Sequence, residues 1–95
     1  MTDELDVLRS EIDALDREIV GLLNRRARLA LEVARTKKRS GRPIIDVGRE
    51  REVLARVAMA NDGPFPQDAL LTLYRQLMET ITRLEELEQS GPRPA

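Results

Sequence analysis

The sequence predicts an all-α fold with three helices per chain, the first very long, assembled as an intertwined helical-bundle homodimer. Three observations carry that prediction. Apolar residues recur at Leu5, Leu8, Ile12, Leu15, Ile19, Leu22, Leu29 and Val33 in steps that preserve a three-four alternation, with Arg26 inside the series. That spacing is the seam of a long helix packed on other helices. No strand candidate is longer than Pro43–Val47. The third observation is length. A helix of about 36 residues spans roughly 54 Å at 1.5 Å per residue. A compact chain of 95 residues has a radius of gyration of only about 12 Å. The first helix must protrude, and each large apolar side chain left in water forfeits about 1.5–3 kcal/mol. A second copy is expected to cover it, and a two-fold dimer is the simplest closed arrangement.

The first helix is expected from about Asp3 to about Ser40, free of proline, with Gly21 its one internal glycine. Gly41-Arg42-Pro43 ends it, because glycine suits the position after a helix and proline cannot continue one. Asp46 is placed to cap a second helix reaching about Ala60, whose apolar face is Val53, Leu54 and Val57. Asn61-Asp62-Gly63-Pro64-Phe65-Pro66 is a loop of turn formers. A third helix begins near Gln67 and carries Leu70, Leu73, Tyr74, Leu77, Met78, Ile81 and Leu84 on one side. Residues 1–88 form the domain, and 89–95 are expected to be a disordered tail.

Composition narrows the chemistry. The chain has 16 Lys+Arg against 17 Asp+Glu, a net charge of −1, so nothing draws it toward nucleic acid or anionic membranes. Phe65 and Tyr74 are its only aromatic residues, too few for base stacking. Without cysteine or histidine it lacks the usual nucleophilic thiol, the usual general base and the usual transition-metal ligands. No apolar run approaches the roughly 18 residues that span a bilayer, and no signal peptide precedes the first helix. A soluble, cytoplasmic protein is the expectation.

The informative residues are charges on apolar faces. Arg26 occupies a seam position and cannot lose its proton, its pKa being above about 12. A guanidinium withdrawn from water needs an anion, yet no carboxylate occupies a seam position of this helix. Lys37 follows eleven residues later, near the same stripe. Glu50 precedes Val53, Leu54 and Val57 on the inner face of the second helix. Glu85 extends the line of Tyr74, Met78 and Ile81. Arg9 flanks Leu8 and Ile12, where it reaches toward a dimer partner. Plainer readings stand beside these. Arg26 fits a device that sets register, Lys37 fits solvated charge at a helix C-terminus, and Glu50, Glu85 and Arg9 fit ordinary surface charge.

Leu8-Arg9 with Ile12 and Leu15-Asp16, then Leu22-Leu23-Asn24-Arg25-Arg26, Lys37, Arg42-Pro43-Ile44-Ile45-Asp46 and Arg49-Glu50-Arg51-Glu52, together resemble the all-helical class of chorismate mutases. The resemblance runs from Leu5 to about Glu88. It implies an intertwined dimer whose two sites each use both chains. The implied reaction turns chorismate into prephenate by an intramolecular Claisen rearrangement, with no cofactor and no metal. Arg26 and the partner subunit's Arg9 would hold the substrate carboxylates. Lys37 would bind the ether oxygen, and Glu50 with the backbone near Asp46 would meet the ring hydroxyl. Arg49 would support the pocket, and Glu85 would face the ether oxygen where many relatives have glutamine. Ile81 stands where the family often has a hydroxyl residue, with Thr80 and Thr82 on either side. Either the register shifts there or one carboxylate contact is missing.

Asn61-Asp62-Gly63-Pro64-Phe65 also resembles domains fused to 3-deoxy-D-arabino-heptulosonate 7-phosphate (DAHP) synthase, so a DAHP synthase partner is expected for a fused or associated form. Two alternatives remain open at this point. One is an isochorismate–pyruvate lyase of the same fold, and the other is a helical dimerisation module without catalysis.

Overall fold

The computed structural model describes residues 3–90, and its elements are α1 (Glu4–Ser40), α2 (Val47–Ala60) and α3 (Gln67–Ser90), with no strand among those residues. Local chemistry fixes the boundaries. The Asp3 carboxylate accepts the Asp6 N–H at 2.8 Å and caps α1. At the other end Gly41 adopts φ 72°, a left-handed conformation that suits a residue without Cβ, and the Arg42 N–H reaches the Lys37 carbonyl at 2.8 Å. Lys37, Lys38 and Arg39 crowd the last turn, where the helix dipole favours cations. Asp46 caps α2 by accepting the Arg49 N–H at 3.0 Å. Between α2 and α3 the Asn61 amide donates to the Phe65 carbonyl and to the Gln67 side chain, which itself donates to the Ala58 carbonyl.

Helix α3 packs against both α1 and α2, while α1 and α2 do not pack on each other. The C-terminal turns of α1 and α3 lie side by side. Arg35 and Glu88 form an ion pair of 2.7 Å, Gln89 donates to the Ala34 carbonyl, and Lys38 donates to the Gln89 carbonyl. Ala34, fully buried, lets the two rods approach closely, and Ile81 is 4% exposed. These two are the only buried apolar side chains among the described residues.

The rest of α1 is bare. The molecule measures 60 × 34 × 15 Å with a radius of gyration of 17.5 Å, well above the value of about 12 Å for a compact chain this long. Leu5, Leu8, Ile12, Leu15, Ile19 and Leu22 are all about half exposed or more. Two residues assigned to the inner side of α3, Leu73 and Leu84, also face outward within one protomer. The period placed them on the apolar side of α3, and nothing among the described residues covers them. No helix among the described residues is long and apolar enough to cross a membrane. Gln89 and Ser90, expected to lie in a disordered tail, instead complete α3, and their side chains bind α1 and the helix's own carbonyls. Residues 91–95 lie outside the described residues.

Candidate active site

A cleft of about 270 Å³ opens where the C-terminal half of α1, the start of α2 and the second half of α3 converge. Helix α1 contributes Arg26, Ala30, Val33 and Lys37, four residues that share one face at helical spacing. The loop before α2 and its first turns contribute Ile44, Asp46, Arg49, Glu50 and Val53, and α3 contributes Met78, Ile81, Thr82 and Glu85. Every residue singled out from the sequence is here except Arg9. That residue stands seventeen positions before Arg26 on the same helix, roughly 26 Å away at 1.5 Å per residue, and is exposed. Within one protomer it cannot reach the cleft.

The charges in this cleft are incompletely matched. Arg26 and Lys37 are both half-buried, and neither forms an ion pair among the described residues. Lys37 Nζ instead donates to the Ile44 carbonyl at 2.8 Å, which ties the end of α1 to the loop leading into α2. The Asp46 carboxylate is engaged in capping, and Arg49 leans outward to Glu52 at 3.7 Å with both side chains about half exposed. Glu50 is half-buried at the α2 wall.

Glu85 is the buried acid, 9% exposed. Burial pushes its carboxyl above the usual value of 4.5; the cations of Lys37 and then Arg26 pull the other way, and Glu86 adds a further rise. Desolvation prevails, so the fold shifts Glu85 toward its protonated form, the form that can donate a hydrogen bond. A site with two half-buried cations outside any ion pair of the described residues, one buried carboxyl of raised pKa and apolar walls suits a small diacid. The arrangement suits holding and polarising a ligand.

The local register at Ile81 is settled by the unbroken helix of α3. Ile81 faces the cleft and Thr80 faces away, its hydroxyl taken by the Gln76 amide at 3.3 Å. There is no shift that would bring Thr80 inward. Two cleft features escaped the sequence reading. One is the Ile44 carbonyl, a backbone group in a loop that no side-chain pattern announces. The other is the place of Thr82 in the cleft lining itself: the sequence named Thr80 and Thr82 together beside Ile81 without choosing between them.

Residues 8–86 match the family described as chorismate mutase type II. The chain belongs to that family. It is 40% identical over 88 residues to the bifunctional chorismate mutase/prephenate dehydratase of Aquifex aeolicus, an alignment covering 88% of this chain and 24% of that protein. It is 36% identical over 89 residues to the 4-amino-4-deoxychorismate mutase of Streptomyces venezuelae, covering 93% of this chain and 86% of that one. Among solved structures, the chorismate mutase (form II) of Thermus thermophilus superposes with a TM-score of 0.85 at 37% identity, over 88% of this chain and 96% of that one. The chain spans about a quarter of the length of the bifunctional relatives. In those relatives the second activity is prephenate dehydratase. This corrects the expected DAHP synthase partner: a short turn-forming loop such as Asn61–Phe65 is shaped by local backbone needs and carries little information about a fused neighbour.

Proposed function

We propose that this chorismate mutase family domain converts chorismate to prephenate, in the route to phenylalanine and tyrosine, working in the cytoplasm as an intertwined homodimer. The observation that carries the reading is the meeting of Arg26, Lys37, Asp46, Arg49, Glu50, Ile81 and Glu85 in one cleft whose two inner cations have no carboxylate partner. In the rearrangement an ether carbon–oxygen bond breaks as a carbon–carbon bond forms within one molecule. It calls for no nucleophile, metal or cofactor. What the protein supplies is a compact reactive conformer and stabilisation of negative charge building on the ether oxygen.

Each residue then has a role. Arg26 grips a carboxylate through its planar fork. Lys37, held ready by the Ile44 carbonyl, binds the ether oxygen, with the neutral Glu85 acid on its other side. Glu50 and the backbone at the start of α2 hold the ring hydroxyl. Arg49 supports that wall. Ile81 offers an apolar surface where a hydroxyl would otherwise add a carboxylate contact. The partner subunit's Arg9 completes the site, and the half-exposed apolar stripe of α1 supports the second copy that brings it.

The decisive experiment follows loss of chorismate absorbance and appearance of prephenate for the full chain and for Arg26→Ala. A dimeric wild-type chain without mutase activity would overturn the reading. A second substrate belongs in the same assay. The Streptomyces venezuelae relative, similar over nearly its whole length, is a 4-amino-4-deoxychorismate mutase, and a carboxylate such as Glu50 pairs with an ammonium as readily as with a hydroxyl. Turnover of the amino analogue in preference to chorismate would reassign the substrate while keeping the reaction. Release of pyruvate from isochorismate would identify a lyase instead.

A further inference from the structure

Resting on the mutase reading, the geometry points to Thr82 as a specificity-determining residue that, together with Glu50, hydrogen-bonds the ring hydroxyl of the substrate. Threonine in a helix ordinarily turns its hydroxyl back to the carbonyl four residues earlier. Thr36 does so to Glu32 at 3.0 Å and Thr72 to Asp68 at 3.0 Å. Thr80 is occupied by Gln76. Thr82 makes no such bond. Its side chain is half-buried and lines the cleft, and no fully buried side-chain polar atom among the described residues lacks a partner, so the unpaired Thr82 hydroxyl is not sealed from solvent.

Its place within the cleft is defined by a second hollow. Between α2 and α3 lies an adjoining depression bordered by Ile45, Leu54 and Arg75, and Glu50, Met78 and Thr82 border both hollows. Thr82 therefore stands on the ridge it shares with Glu50, at the α2 end of the cleft. Arg26 and Lys37 border the cleft from α1 and do not border the second hollow. On the mutase reading the cations hold carboxylates and the ether oxygen, while Glu50 and Thr82 line the same cleft with Asp46 and Arg49 from the start of α2 and the apolar Met78, Val53 and Ile81. A ligand hydroxyl fits that pair by complementarity: its proton goes to Glu50, and its lone pair accepts the Thr82 O–H. Ile81 and Thr82 thus divide two tasks on adjacent positions, one apolar and one polar, in the same cleft wall.

The test compares wild type, Thr82→Val and Thr82→Ser with chorismate and with its analogue lacking the ring hydroxyl. Loss of one neutral hydrogen bond predicts a KM for chorismate about 3- to 10-fold higher in Thr82→Val, with kcat within about twofold. The KM of the deoxy analogue should be the same in wild type and Thr82→Val. Thr82→Ser, which keeps the hydroxyl, should recover most of the loss. An unchanged KM for chorismate, or an equal rise for both substrates, overturns the assignment, the second outcome marking a packing defect. Thr82→Ala replaces the valine variant under the same criteria if valine disturbs folding. An inactive wild type would remove the mutase reading itself, whereas an active wild type matched by Thr82→Val removes only the role of Thr82.

Discussion

The two halves of α1 carry the same apolar period and meet different fates. From Arg26 onward the helix finds α3, buries Ala34 against it and turns Lys37 into a cleft. From Leu5 to Leu22 the same spacing of leucines and isoleucines is left about half exposed along a rod that has no neighbour in its own chain. Periodicity reports that a face is covered. It does not report by what, and the answer here comes from length, because a helix of 37 residues outruns the body of a 95-residue chain. On the proposed dimer reading one continuous helix serves two interfaces, α3 at its C-terminal end and a second copy along its bare stripe. That stripe continues to Leu29 and Val33, 63% and 49% exposed.

The strongest way to break this division is a charge in the bare half. Leu15→Glu places a carboxylate in the surface that a second copy should cover, at a cost of about 3–5 kcal/mol per copy for an uncompensated buried charge. Sedimentation should report loss of the dimer, and mutase activity should disappear with it. A variant that remains dimeric and active would show that this stripe is not the interface. The other half is tested by Arg26→Ala. Removing one contact that stabilises the transition state should lower kcat/KM by about 100- to 1,000-fold, with helicity by circular dichroism and the sedimentation profile unchanged.

Glu85 gives an effect of intermediate size with a defined sign. Its carboxyl is raised above the usual 4.5 because burial penalises the anion more than Lys37 and Arg26 favour it. On the proposed mechanism the protonated acid donates to the ether oxygen, so activity should fall as pH rises through that raised value. Glu85→Gln, a permanent donor, should flatten the profile and exceed wild type on the alkaline side. A wild-type profile flat from about pH 5 to about pH 9 would count against the role. Stability follows the same direction. The folded state binds the Glu85 proton more tightly than the unfolded chain, so this contribution is full below 4.5 and is lost as pH rises through the folded value. Thermal melts of Glu85→Gln should lack that part of the slope.

The smallest effect belongs to the Arg35–Glu88 pair at the outer end of the α1–α3 junction. Short as it is, its side chains are 51% and 36% exposed, and such pairs contribute about 0.2–1 kcal/mol. Arg35→Ala should lower Tm by no more than a few degrees and leave kcat/KM unchanged. A large loss of activity would mean that the C-terminal junction sets the geometry of the cleft.

Helix boundaries were legible because they rest on local chemistry. Asp3, Asp46 and Gly41 stop or start helices through their own side chain or the lack of one. The cleft was legible where a charge interrupts an apolar face, as at Arg26, Lys37, Glu50 and Glu85. It was illegible where the working group is a backbone carbonyl, as at Ile44, or a small polar side chain common on any helix, as at Thr82. The outward turn of Leu73 and Leu84 was hidden for another reason: a period names the face and leaves its occupant unspecified.

The hydrogen bond from Lys37 to the Ile44 carbonyl has a consequence for how tightly a ligand is held. A free lysine side chain gives up about 1.5–2 kcal/mol of rotational freedom when it is immobilised. Here the four-carbon stem is already restrained when the chain folds, before any guest arrives. Less disorder then remains to be lost on each encounter, and the short turn after α1 acts as a preset mount for the ammonium.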